Sequence, residues 1–510
     1  MALLQFAIVV LGLLQTVIVA HLFGTTRQIE IFMAAVTLNT LALRLFQSGQ
    51  IYEVFLPIYI TVKKSDGADA ANKLSSVLIN WMLICFLAIF CILFVSAPFI
   101  VDLIASGFAE VEKYQATLMF WSLLPVLGIQ LFSGILLMLG NAEKKFSNFQ
   151  KPVIVSILLS ILILVFFRDY FGAWVMVIAL WTSQLTTLLL RLTILKKIGF
   201  QYSLSLQSNH LPIKKFFKKI LVTVPSTIAT TFFETVFTRE LTKLSQGNFA
   251  IVTYARQILS KVRGLMVRPT SIVFFTAISE TSIDATLKTK KLVSKALEQI
   301  LCLITITSIV SWCALPHLIF SLYHSEDFSL DKIIQLSTLV SFLLLALLFD
   351  GLGVIYQKYN VSSGRITQQY IGMALAKFAT TLMAMIMIPS FGFTGVIMTL
   401  FAQAVLYTVS GIASIDQRQQ RFFVLYSLSS VAKWVVIFGG VWTLYSQIGF
   451  TKVLRLSDET SKIQSITCAV MVSAIVLIVS LGLGAIFKIE GVREILSSVM
   501  QRRKGQGDGV

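Results

Sequence analysis

Charge is what this sequence has least of. Only 13% of its 510 residues are Asp, Glu, Lys or Arg, against 56% hydrophobic. No soluble protein of this size needs so much apolar sequence. Cysteine is scarce too: Cys85, Cys91, Cys302, Cys313 and Cys468 lie inside apolar runs without metal-ligand spacing. They read as small packing residues, which excludes a disulfide framework and a zinc site. The four histidines, His21, His210, His317 and His324, are scattered. There is no G-x-x-x-x-G-K-[ST] phosphate loop, no H-E-x-x-H, no CxxC pair and no nucleophile elbow. ATP hydrolysis by this chain is thereby excluded, and nothing points to bond-making chemistry, metal or cofactor.

What is present is apolar sequence in runs of about 20 residues, repeated end to end, the length an α-helix needs to cross a hydrocarbon core. We count about fourteen such runs, so the expected fold class is an all-α polytopic membrane protein. The first run, starting at Met1, outlasts a signal-peptide core and has no small-residue cleavage site. It is expected to be a retained helix.

The formal net charge is +18. In a soluble protein that would point to nucleic acid; here the basic residues sit between spans, so no nucleic-acid partner is expected and membrane lipids are. Lys63, Lys64, Lys73, Lys144, Lys145 and Lys151 follow even spans, as do Arg191, Lys196, Lys197 and Lys214 in a long connector. Loops after odd spans are short and poorer in Lys and Arg, and residues 108–113 and 326–332 are acidic. By the positive-inside rule, the even loops and both termini belong in the cytoplasm. The odd loops leave no room for a catalytic domain outside.

Three landmarks recur along the chain. Pro98 and Pro316, each before an acidic loop, Asn141 and Asn360, and the Phe171-Gly172 and Phe391-Gly392 hairpins are separated by 218, 219 and 220 residues. The expected plan is therefore two six-helix lobes in parallel pseudo-repeat plus two C-terminal helices. The lobes are residues 1–196 and 220–416, joined by a basic cytoplasmic connector, 197–219. The two extra helices fall in 417–488 and a basic tail in 489–510.

Ionisable groups inside spans mark pathways or cavities. In the second span Glu30, Thr37, Thr40, Arg44, Gln47 and Ser48 fall on one helical stripe. The seventh span carries Thr223, Thr227, Thr230, Thr231, Glu234 and Thr238 at spacings of three and four, with Pro225 expected to kink or break it. Each threonine alone is explained by backbone bonding or packing; Glu234 among them favours a cavity face. In the eighth span Arg256, Ser260 and Arg263 share a face, while Lys261 and Arg268 form another that could snorkel to headgroups. An anionic ligand explains Arg256 better, since guanidinium forks match phosphate oxygens. Asp350, Lys377 and Lys433 are also within spans. Glu234 or Asp350 could take H+ or Na+ for coupling to an ion gradient or membrane potential; alternatively Lys377 neutralises Glu234.

The chain resembles the MurJ/MviN family of lipid II flippases in the multidrug/oligosaccharidyl-lipid/polysaccharide exporter superfamily. The likeness lies in Leu11-Gly12, Phe23-Gly24, IFMAA at 31–35, LRLF at 43–46, Gly49 and FLP at 55–57. It continues through APFIVDLIASGF at 97–108, the loop 141–152 and Tyr254-Ala255-Arg256. The resemblance implies a central cavity whose basic residues hold the diphosphate of a polyprenyl-linked saccharide, with alternating access of two lobes and a lipid-tail groove at the final helices. Glu30 (where the family usually has Asp), Arg44 and Arg256 match the family pattern. Arg263 and Gln47 join them as cavity candidates. Val9, Gln15 and Leu43 stand where the family has arginines, and Thr16 where an acid is common. Charge-assisted bonds are worth about 1.5–3 kcal/mol each, so these losses should weaken diphosphate binding.

The expected function is thus a flippase for a polyprenyl-diphosphate-linked saccharide in the bacterial cytoplasmic membrane. Lipid II is the first candidate and an exopolysaccharide or O-antigen repeat unit the second, with cell-envelope biosynthesis enzymes as the partners such a cargo implies. Export of small cationic drugs fits poorly with a cationic stripe. A membrane glycosyltransferase would need a large outer loop with catalytic acids.

Overall fold

The structure is a computed structural model that describes residues 2–45, 59, 61–143, 145–197, 199–204, 206, 221–280, 286–447 and 462–486. Among these residues there are fourteen helices. The first six are α1 (Ala2–Phe23), α2 (Arg27–Leu45), α3 (Gly67–Ile104), α4 (Glu110–Ala142), α5 (Phe146–Phe171) and α6 (Trp174–Lys197). Then come α7 (Val224–Thr242), α8 (Asn248–Glu280), α9 (Thr286–Tyr323), α10 (Leu330–Ser362), α11 (Ile366–Phe391) and α12 (Phe393–Ala413). The last are α13 (Gln417–Gln447) and α14 (Lys462–Ile486). The fold is all-α, and it is that of a polytopic membrane protein.

Nine helices among the described residues are long and apolar enough to cross a bilayer by length and composition: α1, α3, α4, α5, α6, α9, α10, α11 and α12. The helices with polar stripes, α2, α7 and α8, are not among them, because each exchanges apolar positions for threonines, acids and arginines. Such a helix is stable at membrane depth only where its polar face meets protein or water.

Helix lengths repeat along the chain. α3 and α9 each have 38 residues, α4 and α10 each 33, and α5 and α11 each 26. The prolines recur within this frame, Pro98 inside α3 and Pro316 inside α9. So do the hairpin glycines: Gly172 (φ 51°) ends α5 and Gly392 (φ 56°) ends α11. Their amides donate to the Arg168 and Ile388 carbonyls at 2.7 and 2.8 Å. Only glycine reverses the chain there without a Cβ penalty. Pro225 lies in the first turn of α7, after a turn at 222–223, where its missing N–H costs no helical bond.

The chain divides into two compact units. One comprises Met1–Thr253 with Thr381–Phe393, the other Tyr254–Thr380 with Thr394–Val510. In the first, α4 is the central helix, packed against α2, α3, α5 and α6, while α7 packs on α2 and α3. In the second, α9 holds α10, α13 and α14. Buried leucines such as Leu123, Leu124 and Leu127 of α4 and Leu336, Leu339 and Leu347 of α10 fill these interiors. Apolar side chains on α3 (Ile92, Val95, Phe99) and α11 (Leu375, Phe378, Ile386) point outward. In water such rows would drive association; in a bilayer they are the lipid-facing surface.

One residue departs from its expected surroundings. Arg191, counted with the basic connector, is buried near the end of α6. It donates to the Phe149 carbonyl from Nε at 3.0 Å, and from Nη1 to the carbonyl and hydroxyl of Ser133 at 2.9 and 2.7 Å. Main-chain oxygens of α4 and α5, rather than cytoplasmic water, satisfy this cation.

Candidate functional site

The polar stripe of α2 separates into two parts. Toward its C-terminal end, Thr37 is half-buried, Thr40 exposed and Arg44 37% exposed, so these positions line an open face. The hydroxyls of Thr37 and Thr40 donate back to the Met33 and Val36 carbonyls at 2.8 and 2.9 Å. They satisfy themselves locally and leave Arg44 as the group with donors to spare. Behind them Asn39 is buried and donates to Gln130 of α4 at 3.1 Å. Gln47 and Ser48 lie outside the described residues.

Glu30, at the other end of α2, is 1% exposed. Its Oε1 accepts from the amides of Gly247, Phe249 and Ala250 at 2.9, 3.1 and 3.4 Å. These amides belong to the start of α8, where orphan N–H groups and the helix dipole favour a negative charge. Its Oε2 accepts from Arg27 at 2.9 Å. Arg27 reaches on to Glu112 at 3.3 Å and lies over the Phe108 ring at 5.0 Å. Glu112 also accepts from the Ala109 amide at 2.8 Å, closing the first turn of α4. Gly107 and Thr242 continue this contact, with the Thr242 hydroxyl donating to the Ile104 carbonyl at 3.2 Å. Together these bonds tie the acidic-loop ends of α2, α3 and α4 to α7 and the start of α8.

Arg44 does not stand alone. Its Nη1 lies 3.5 Å from Oε1 of Glu234, whose side chain is 7% exposed on α7. Three threonines of α7 bond to their own helix: Thr227 to the Thr223 carbonyl at 3.2 Å, Thr230 to the Ser226 carbonyl at 2.7 Å and Thr235 to the Thr231 carbonyl at 2.9 Å. The buried Thr231 hydroxyl has no hydrogen-bond partner among the described residues. α7 therefore presents one carboxylate toward α2, with the hydroxyls of Thr227, Thr230 and Thr235 turned onto the backbone.

The second unit contains a parallel arrangement. Arg263 of α8, 47% exposed, places Nε 2.8 Å from Oδ2 of Asp350 on α10, which is 22% exposed. The N–H is not aligned on that oxygen, so the contact is an ion pair rather than a directed hydrogen bond. Lys377 of α11 acts electrostatically on the same carboxylate. Nearby, Tyr407 of α12 donates to Gln357 of α10 at 2.6 Å. Arg256 is half-buried one turn into this unit, two residues after Tyr254, whose ring packs on Tyr323 and Phe328.

The structure thus brings Arg44 together with Glu234 and Arg263 together with Asp350. It puts the Glu30 carboxylate on a helix cap and leaves Lys377 beside Asp350. Sequence reasoning missed Arg27 and Glu112, although Arg27 at three residues before Glu30 was a readable ion-pair spacing. Gln15, one of the positions where a family arginine was expected, donates to Ser160 of α5 at 2.9 Å. Thr16 bonds its own helix at the Gly12 carbonyl, 3.0 Å away.

Comparison with known proteins speaks to the family and the fold. The probable lipid II flippase MurJ of Rickettsia prowazekii is 26% identical over 274 residues, 51% of either chain, so the chain spans about half the length of that relative. A probable lipid II flippase MurJ of Buchnera aphidicola is 22% identical over 361 residues, 68% of this chain and 69% of the relative. Among solved structures, lipid II flippase MurJ in an inward closed conformation superposes with a TM-score of 0.71 at 18% identity, covering 93% of this chain and 97% of that one. An inward-facing multidrug resistance MATE transporter of the MOP superfamily follows with a TM-score of 0.62 at 14% identity, over 84% of this chain and 98% of that one. At these identities the structural likeness speaks for the fold. The sequence model of the family described as lipid II flippase MurJ matches residues 19–456, and the chain belongs to that family.

Proposed function

We propose that this protein is a flippase that carries a polyprenyl-diphosphate-linked saccharide, in the first place lipid II, across the bacterial cytoplasmic membrane by alternating access, with both termini in the cytoplasm. The observation that carries the reading is the family match over residues 19–456. The geometry adds two partly exposed guanidinium groups, Arg44 and Arg263, on the polar-striped helices α2 and α8. A diphosphate offers such groups paired acceptor oxygens. Arg256 and Gln47 complete the cargo site in this reading, and Glu30 shapes it from the helix end. Glu234, Asp350 and Lys377 are the candidates for coupling transport to H+, Na+ or the membrane potential. Lipid substrate and membrane lipids are the partners, with cell-envelope biosynthesis enzymes supplying and consuming the cargo. The protein moves its substrate without making or breaking a bond in it.

A second reading keeps the fold and changes the cargo to an exopolysaccharide or O-antigen repeat unit. Val9, Gln15 and Leu43 favour it, since they stand where arginines are expected in a lipid II carrier.

Complementation of a conditional lipid II flippase depletion tests the proposal. The parent chain should restore growth, whereas Arg44→Ala and Arg256→Ala should not, at equal membrane abundance. Failure of the parent to rescue despite insertion would transfer the assignment to the second cargo. Full rescue by both variants would remove these arginines from the site.

A further inference from the structure

Each of the two exposed arginines is held by one carboxylate from a neighbouring helix, and in both cases the hold is partial. Among the described residues, Arg44 meets Glu234 through one Nη1 contact at 3.5 Å, and Arg263 meets Asp350 through one Nε contact at 2.8 Å. A guanidinium has five N–H donors in a planar fork. One contact of this kind leaves most of the fork unused. The exposures are also unequal in the same sense: 37% against 7% for Arg44 and Glu234, and 47% against 22% for Arg263 and Asp350. The cations are presented and the anions lie behind them.

We propose that Glu234 and Asp350 are positioning residues that compete with the diphosphate for Arg44 and Arg263, so that the cargo is bound by displacing a carboxylate and released when the carboxylate returns. The proposal rests on the flippase reading above. Geometry favours an exchange over a lock. The present pairs engage the fork through one nitrogen at 3.5 and 2.8 Å, whereas a diphosphate can take two parallel N–H···O bonds from it at once. The diphosphate therefore wins the arginine while it is present. The carboxylate keeps the fork in its rotamer when the cargo is absent and lowers the depth of the bound state. A carrier must also let go, and a site of uncompensated arginines would hold a diphosphate too long to turn over.

The test is a split between binding and turnover. Full-length parent, Glu234→Gln, Asp350→Asn, Arg44→Ala and Arg263→Ala are purified into nanodiscs. Binding of a polyprenyl diphosphate is measured by native mass spectrometry, and transport of a fluorescent polyprenyl-diphosphate saccharide is measured in liposomes. Both amide variants keep the shape of the side chain and remove its charge. They are expected to bind the diphosphate about fivefold tighter than the parent and to turn over more slowly. The arginine variants should bind more weakly. If the amide variants bind no tighter while the arginine variants still weaken binding, the competition is overturned and the flippase reading stands. If the arginine variants bind like the parent, the cargo site itself is wrong. The two pairs sit in different units, so each is a separate trial should one amide variant fail to insert.

Discussion

The carboxylate of Glu30 meets the amide nitrogen of Gly247 at 2.9 Å, so a residue in the first turn of α2 caps a helix that begins more than two hundred residues later. Two further amides, those of Phe249 and Ala250, share the same oxygen. Glu30→Ala leaves buried donors without a partner, each costing about 1–3 kcal/mol, and removes a charge that the helix dipole favours. Thermal unfolding of the purified protein should show a clear loss for Glu30→Ala. Glu30→Gln, which keeps an acceptor oxygen, should lose less. Equal stability of Glu30→Ala and parent would contradict the capping role.

Gly107 is expected to tolerate no side chain. A Cβ there would stand 2.0 Å from the Thr242 carbonyl oxygen, which is backbone and has no rotamer to yield. Gly107→Ala should lower the unfolding temperature by separating this loop from α7. Gly134, inside α4, has nothing within 4 Å of an added Cβ. Gly134→Ala should therefore be neutral or gain up to ~1 kcal/mol from helix propensity. Equal behaviour of the two variants would argue that the Gly107 contact is absent in the protein.

Arg191 should be a stability residue rather than a cargo residue. Its bonds to Phe149 and Ser133 are charge-assisted and buried, so Arg191→Met is expected to cost on the order of 3 kcal/mol. Arg191→Lys has no planar fork to reach both helices and should recover only part of that. Diphosphate binding per folded molecule should not change in either. A loss of binding without loss of stability would reverse the assignment.

Acid should loosen the basic-loop end of α4. Glu143 accepts from Tyr59 at 2.7 Å and from Lys63 at 2.5 Å. Burial pushes its carboxyl upward, but those hydrogen bonds and the charges of Lys63 and Lys145 outweigh it and hold the group below the ordinary 4.5. The stabilisation from this group is therefore complete above about pH 4.5 and fades as the pH falls through the depressed folded value. Unfolding measured from pH 6 down to pH 3 should decline less steeply in Glu143→Gln than in the parent, and parallel curves would exclude this contribution.

The sequence was most readable where a pattern belongs to one element. The spacing of Thr37, Thr40 and Arg44 follows from helical geometry alone, and the structure keeps them on one open face. Paired landmarks such as Gly172 and Gly392 survive because each answers a local need for a positive φ. Partners carrying no side-chain signal were hidden. Beside Arg27, Glu30 is satisfied by main-chain amides, and beside the Ser133 hydroxyl, Arg191 is satisfied by main-chain carbonyls. No residue type advertises those main-chain partners. Arg191 was mistaken for a connector cation because counting charges near a helix end ignores which way a side chain turns. Arg27 and Glu112 form their ion pair only after α2 and α4 are packed together.

α3 and α9 run for 38 residues each, about 57 Å at 1.5 Å per residue, roughly twice the thickness of a hydrocarbon core. Upright, a rod of that length overruns even the ~40–45 Å that includes the headgroups by about two to three turns, whereas a tilt of about 40° brings nearly all of it inside. α3 and α9 therefore trade tilt against overhang: any change in their tilt changes how much of each helix lies within the bilayer.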